Sequence, residues 1–132
     1  MAEAKAYYIT TPIYYVNDKP HIGHAYTTLA CDVIARFMRL DGRDVMFMTG
    51  TDEHGQKVEK SAQAAGVEPL AFCDGVSQNF RDLTPMLNFT NDGFIRTTED
   101  RHTQASQAIW QAMADNGDIY LDSYAGWYSV RD

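Results

Sequence analysis

The sequence is poor in the features that commit a chain to several large classes of protein. Two cysteines occur in 132 residues, Cys31 and Cys73, and they form no CxxC pair. That spacing argues against a thiolate metal centre and against a disulfide framework. Both sit in apolar helical patterns and read as free core thiols. No apolar stretch approaches the ~20 residues of a membrane span. The start, "MAEAKAYYITTPIYYV", lacks the basic-then-apolar pattern of a secretory signal. "NFT" at Asn88 matches a glycosylation acceptor but carries no weight without a secretory route. Basic residues are scattered, with 11 Lys and Arg against 18 Asp and Glu and a net charge of -7. Such a chain lacks the basic stripe that neutralises phosphates, so a nucleic-acid partner would be held mainly by other segments. The reading is a chain of the cytoplasm with no membrane partner.

What is present is an ordinary globular composition, 45% hydrophobic and 22% charged, without repeats or low-complexity segments. "AYYITTPIYYV" (6–16) is β-branched and aromatic and opens as a strand, which Pro12 interrupts. "NDKP" is a polar turn. From His21 or Ile22 to about Leu40 the period is helical, with Leu29, Val33, Phe37 and Leu40 on one stripe. Gly42 stops that helix. "VMFMTG" (45–50) reads as a strand buried on both faces. A helix then ends at Gly66, and another starts at Pro69 with a stripe of Cys73, Val76, Phe80, Leu83 and Leu87. "FIRTT" (94–98) is a third strand, followed by a helix from about Glu99 to Asn116. "DIYLDSYAGWYSV" (118–130) alternates like a hairpin. The alternation predicts an α/β fold with a parallel sheet and right-handed helical crossovers. Ligands of such sheets bind beyond the carboxyl ends of the strands. Two polar clusters, "NDKPHIGH" and "TDEHGQK", follow strand ends directly.

In the first cluster His21 and His24 share one face of a helix start. That helix end offers free N–H groups and the positive end of the dipole, which suits phosphate. Imidazole donors can add to phosphate oxygens, more strongly as charge builds in a transition state. Gly23 lets a flat ring or sugar approach the backbone. No third imidazole or carboxylate sits at metal spacing, so no protein-held metal is expected. A plain capped helix entry fits the same residues.

In the second cluster Asp52 is suited to a ligand ammonium, a sugar hydroxyl or a metal. A carboxylate–ammonium contact in a partly dry site is worth up to about a few kcal/mol at an effective dielectric of ~20. The plainer reading makes Asp52 and Glu53 caps for a helix beginning near His54. Ile13 and Tyr15, with the backbone of Pro12, could line an apolar pocket or simply belong to the sheet core. If the strand continues, alternation lets only one of Tyr14 and Tyr15 face such a pocket.

The flanks of "HIGH" are more specific than its four letters. "YYITTPIYYVNDKPHIGHAYTTLACDVIARFMRLDG", "FMTGTDEHGQKVEKSAQAAG" and "DGFIRTTEDRH" together resemble the catalytic domain of the methionyl-tRNA synthetases, class I aminoacyl-tRNA synthetases. The resemblance runs from about Tyr7 to Asp132. It implies a Rossmann-like nucleotide-binding fold, truncated here. Residues 1–117 would form the first half of the catalytic domain, and 118–132 the start of the connective insertion. It implies activation of L-methionine by ATP, with Mg2+ accompanying the ATP, and transfer of the methionyl group to tRNA(Met). The implied roles are transition-state donation and ATP phosphate binding by His21 and His24, and ATP contacts from Gly23 and Asn17. Pro12, Ile13, Tyr15, Asp52 and His54 would bind methionine, with Asp52 taking the α-amino group.

The pattern also departs from the family. "KVEKS" (57–61) matches three letters of the second family motif, KMSKS, but lies in an expected helix far too early. Lys57 and Lys60 are better read as a solvated face, with Lys57 able to pair with Glu53 at i,i+4. The true lysine loop is absent, so the expectation is an N-terminal fragment with negligible adenylation on its own. "YSVRD" places Ser129 and Asp132 where many relatives carry zinc-binding cysteines, so no zinc is expected at that knuckle. Two other readings stay open: another nucleotidyltransferase of the HIGH superfamily, or a non-catalytic nucleotide-binding module.

Overall fold

The structure is a computed structural model that describes residues 5–127. Its elements in chain order are β1 (Ala6–Thr10), β2 (Tyr14–Tyr15), α1 (Ile22–Leu40), β3 (Asp44–Asp52), α2 (Gln56–Ala65), α3 (Pro69–Met86), β4 (Gly93–Arg96) and α4 (Asp100–Asp115). All strand pairings are parallel and all converge on β3. The expected α/β fold with helical crossovers is therefore observed.

β1 and β2 are one strand broken at Pro12. Thr10 pairs with Met48 and Tyr14 with Thr51, so the first strand uses four steps where β3 uses three. Pro12 has no N–H to give to the ladder, and the extra residue is accommodated there as a bulge. β4 occupies the other flank of β3, with Met48 opposite Gly93 and Thr51 opposite Arg96. Gly50 makes that approach possible: a Cβ there would lie 2.2 Å from the carbonyl oxygen of Ile95. β3 is thus the central strand, and its carboxyl half, from Thr49 to Thr51, is buried on both faces.

The helix boundaries follow their stop signals. Gly42, Gly66 and Gly117 take positive φ just past three helix ends. Pro69 stands at the N-terminus of α3. Along α3, Cys73 and Phe80 are buried, and Cys73 joins Val16 and Val58 in a small core. Both cysteines are free; Cys73 is buried and Cys31 half-buried.

Three expectations need correction. First, the apolar stripe of α1 does not face the sheet: Leu29, Val33, Phe37 and Leu40 are exposed, and Thr28, Asp32 and Ala35 form the inward line. Asp32 is buried because the Thr90 N–H and hydroxyl donate to it at 2.6 Å and Arg36 donates at 2.7 Å. Helical periodicity marks an apolar face without saying what covers it. Second, the residues 118–127 of the expected hairpin contain no strand, and 128–130 lie outside the described residues. Alternation there has no neighbouring strand to pair with. Third, Glu53 does not pair with Lys57 or cap α2. Gly55 is the N-cap, without a side-chain bond, and Glu53 is buried elsewhere. "KVEKS" does lie within α2, as expected. Among the described residues no helix is long and apolar enough to cross a membrane.

Candidate active site

The broken first strand delivers its turn, Val16 to Asp18, directly to the N-terminus of α1. His21 is the N-cap of that helix. It is extended at φ -122°, ψ 175°, and its Nδ1 accepts the Gly23 N–H at 3.1 Å. His24, one turn on, accepts the His21 N–H at its own Nδ1, also at 3.1 Å. This is a capping box written with two imidazoles instead of Ser and Glu. Its chemical consequence is a fixed tautomer. A ring nitrogen that accepts is unprotonated, so each neutral imidazole carries its proton on Nε2. Two Nε2–H donors then stand at a helix N-terminus, where the dipole already favours an anion.

Packing holds this arrangement. The two rings stack with centroids 3.8 Å apart. His24 lies edge-on to Tyr14 at 4.7 Å and to Phe80 at 5.1 Å, and Tyr14 stacks on Phe80. The Tyr14 hydroxyl is 2.9 Å from the Thr28 hydroxyl and donates to the His24 carbonyl at 3.3 Å. Burial pushes the His24 pKa down, and the neighbouring His21 pushes it further down. His24 is therefore a neutral donor at neutral pH. Gly23 has a sharper role than open space: a Cβ would meet the His21 ring at 2.9 Å.

An open cleft of about 500 Å³ lies over this turn, lined by Ile13, Tyr14, Tyr15, Asn17, Asp18, Lys19, His21 and His24. Both tyrosines line it, because β2 is only two residues long before the chain turns. Pro12, Gly23, Asp52 and His54 are not part of this lining. Asp52 is nevertheless close, since it is the register partner of Tyr15 in the adjoining strand. It is half-buried, and its carboxylate makes no hydrogen bond or ion pair among the described residues. His54 is exposed, with Nε2 3.3 Å from the Thr97 carbonyl.

Glu53 behaves differently from its neighbour. Its side chain is 0% exposed and receives both Arg96 Nε (2.7 Å) and Arg96 Nη2 (3.0 Å), with the Thr51 hydroxyl at 2.8 Å and the Thr98 hydroxyl as further donors. Burial would push its pKa up, but Arg96, Thr98 and Thr51 outweigh that and hold it below the usual carboxylate range. Sequence reasoning missed the roles of Tyr14, Thr28, Phe80 and Arg96. Tyr14 had a signal in the alternation of "IYY" and Thr28 lies one turn beyond His24 on α1, whereas Phe80 and Arg96 come from distant segments.

A family model described as tRNA synthetases class I (M) matches residues 7–132. The chain belongs to that family. Among curated relatives it is similar to the methionine–tRNA ligase of Rickettsia typhi, 66% identical over 126 residues, which are 96% of this chain and 25% of that one. The methionine–tRNA ligase of Rhizobium meliloti is 57% identical over 132 residues, 100% of this chain and 26% of that one. A solved methionyl-tRNA synthetase from Mycobacterium tuberculosis, in complex with methionyl-adenylate, superposes with TM-score 0.90 at 54% identity, covering 96% of this chain and 25% of that one. A leucyl synthetase–tRNA–LeuAMS complex from Agrobacterium radiobacter K84 shares the fold at TM-score 0.80 and 23% identity, covering 90% of this chain and 16% of that one. The chain thus spans about a quarter of the length of the methionine–tRNA ligases it matches. The class I synthetase fold expected from the HIGH flanks is the fold observed.

Proposed function

We propose that this chain supplies the first half of the active site of a methionine–tRNA ligase, with residues 118–132 starting the connective insertion. The observation that carries the reading is the pair of Nδ1 acceptors at His21 and His24. It leaves two Nε2–H donors at a helix N-terminus beside the cleft. In this reading they hold the triphosphate of ATP, and their hydrogen bonds strengthen as charge develops on the α-phosphate. Asn17 and Gly23 add contacts to phosphate and to ribose or adenine. Asp52 takes the ammonium of methionine as the unengaged carboxylate at the end of β3. Ile13 and Tyr15, with the backbone at Pro12, brace the amino acid, and His54 orders the adjoining turn.

The reaction is in-line transfer. A carboxylate oxygen of methionine forms a bond to the α-phosphorus while the bond to the β-phosphate bridging oxygen breaks, and pyrophosphate leaves. The methionyl group then passes to a ribose hydroxyl of tRNA(Met), with AMP leaving. tRNA is held mainly by the additional length that the relatives possess, consistent with the net charge of -7 here. The compartment is the cytoplasm.

Among the described residues no group of three or more His, Cys, Asp or Glu side chains is placed to hold a metal ion. In this reading Mg2+ accompanies ATP as the counterion of its phosphates. Ser129 and Asp132 lie outside the described residues; the zinc-free reading of that knuckle is tested by elemental analysis of the intact protein. The function itself is tested by pyrophosphate exchange into ATP across the twenty amino acids, catalysed by the intact protein. Exchange dependent on methionine supports the reading, and exchange by the intact protein that depends on another amino acid, or none, refutes it.

A further inference from the structure

The turn that carries Asp52 is held by a buried ion network centred on Glu53. The Glu53 carboxylate takes four donors, two from Arg96 and one each from Thr51 and Thr98. These use essentially all of its acceptor capacity. Arg96 reaches on to Asp74 of α3 at 2.6 Å, and its pKa is raised, first by the hydrogen bond to Glu53. The Glu53 N–H donates to the Thr97 hydroxyl at 2.9 Å. The Thr97 carbonyl lies 3.3 Å from His54 Nε2. Thr51 also contacts Ser77 of α3 at 3.1 Å. Three consecutive residues at the end of β4 and two on α3 thus grip the chain on both sides of Asp52.

Neighbouring strand residues point to opposite faces. Glu53 faces this network while Asp52 falls in register with Tyr15 beside the cleft. We infer that the Arg96–Glu53 pair is a positioning device for methionine recognition: it fixes the turn so that the Asp52 carboxylate faces the ammonium, and it engages Glu53 so that, of the two carboxylates of that turn, Asp52 is the one left free for the ligand. This rests on the reading of Asp52 as the ammonium ligand. The network bears on the amino group. In the proposed function ATP is held at His21 and His24 of α1, whose capping bonds involve none of these residues.

The test uses the intact enzyme with Glu53→Gln, Arg96→Lys and Asp52→Asn. Methionine and 4-(methylthio)butanoate, the same molecule without its amino group, are titrated into each, and KM for methionine and for ATP are measured in pyrophosphate exchange. Glu53→Gln is expected to weaken methionine about tenfold or more, leaving the amine-free analogue and the ATP KM within about twofold. Arg96→Lys keeps the charge but loses the two-pronged bond, and is expected to recover part of the loss. Equal weakening of methionine and the analogue, or lower thermal stability with unchanged KM values, overturns the inference. If Glu53→Gln does not fold, Arg96→Lys alone decides on the same comparison: a methionine-selective loss supports the inference and an unselective one overturns it. Asp52→Asn separates the two levels. If it leaves methionine binding unchanged, the ammonium reading fails and the inference falls with it. If Asp52→Asn weakens methionine while Glu53→Gln does not, only the inference fails.

Discussion

His21 and His24 stack 3.8 Å apart, and each turns its Nδ1 toward the backbone of the helix start they share. A sequence pattern that looks like two free ligands is half spent on capping. What remains for chemistry is the other nitrogen of each ring, fixed as a donor.

His24 is expected to titrate below 6.5, because burial and then His21 disfavour its cation. Between its folded value and 6.5 the unfolded chain binds more protons, so stability falls as pH drops through that window. Nitrogen-detected NMR of the ring checks both points. A pKa above 6.5, or a protonated Nδ1 at neutral pH, contradicts them.

Gly23→Ala places a methyl against the His21 ring at 2.9 Å. The ring must move and the cap is lost, at a cost of about 1 kcal/mol in stability. Chemical denaturation with ATP titration should show weaker ATP binding alongside that loss.

Tyr14→Phe removes one hydroxyl from the Thr28 and His24 bonds and leaves the ring stack intact. It is expected to cost about 1 kcal/mol, whereas Tyr14→Ala also empties space beside His24 and costs about 3–5 kcal/mol. Urea midpoints of the two variants check the order.

Glu53 contributes stability that is present above its unfolded value of 4.5 and lost as pH falls toward its lower folded value. Comparing urea midpoints at about pH 6 and about pH 3.5 should show a smaller drop in Glu53→Gln than in the parent.

The elements were legible because their signals are local. Helix stops at Gly42, Gly66 and Gly117, the start at Pro69 and the break at Pro12 each follow from one residue's backbone chemistry. The outward stripe of α1 was not, since Leu29, Val33, Phe37 and Leu40 show the right period with no cover among the described residues. At the site, "HIGH" and its flanks marked the helix start that His21 and His24 cap beside the cleft. The partners of Glu53 were hidden because Arg96, Thr97 and Thr98 lie more than forty positions away and meet it only through the sheet. Local spacing offered Lys57 instead, and burial decided against it.

The most direct test is single-turnover formation of methionyl-adenylate by the intact protein and its His21→Asn, His24→Asn double variant. The two Nε2–H donors are expected to be worth a factor of about 100 or more in rate, with methionine affinity retained. A double variant that forms adenylate within about twofold of the parent rate would contradict the assignment of transition-state stabilisation to this histidine pair.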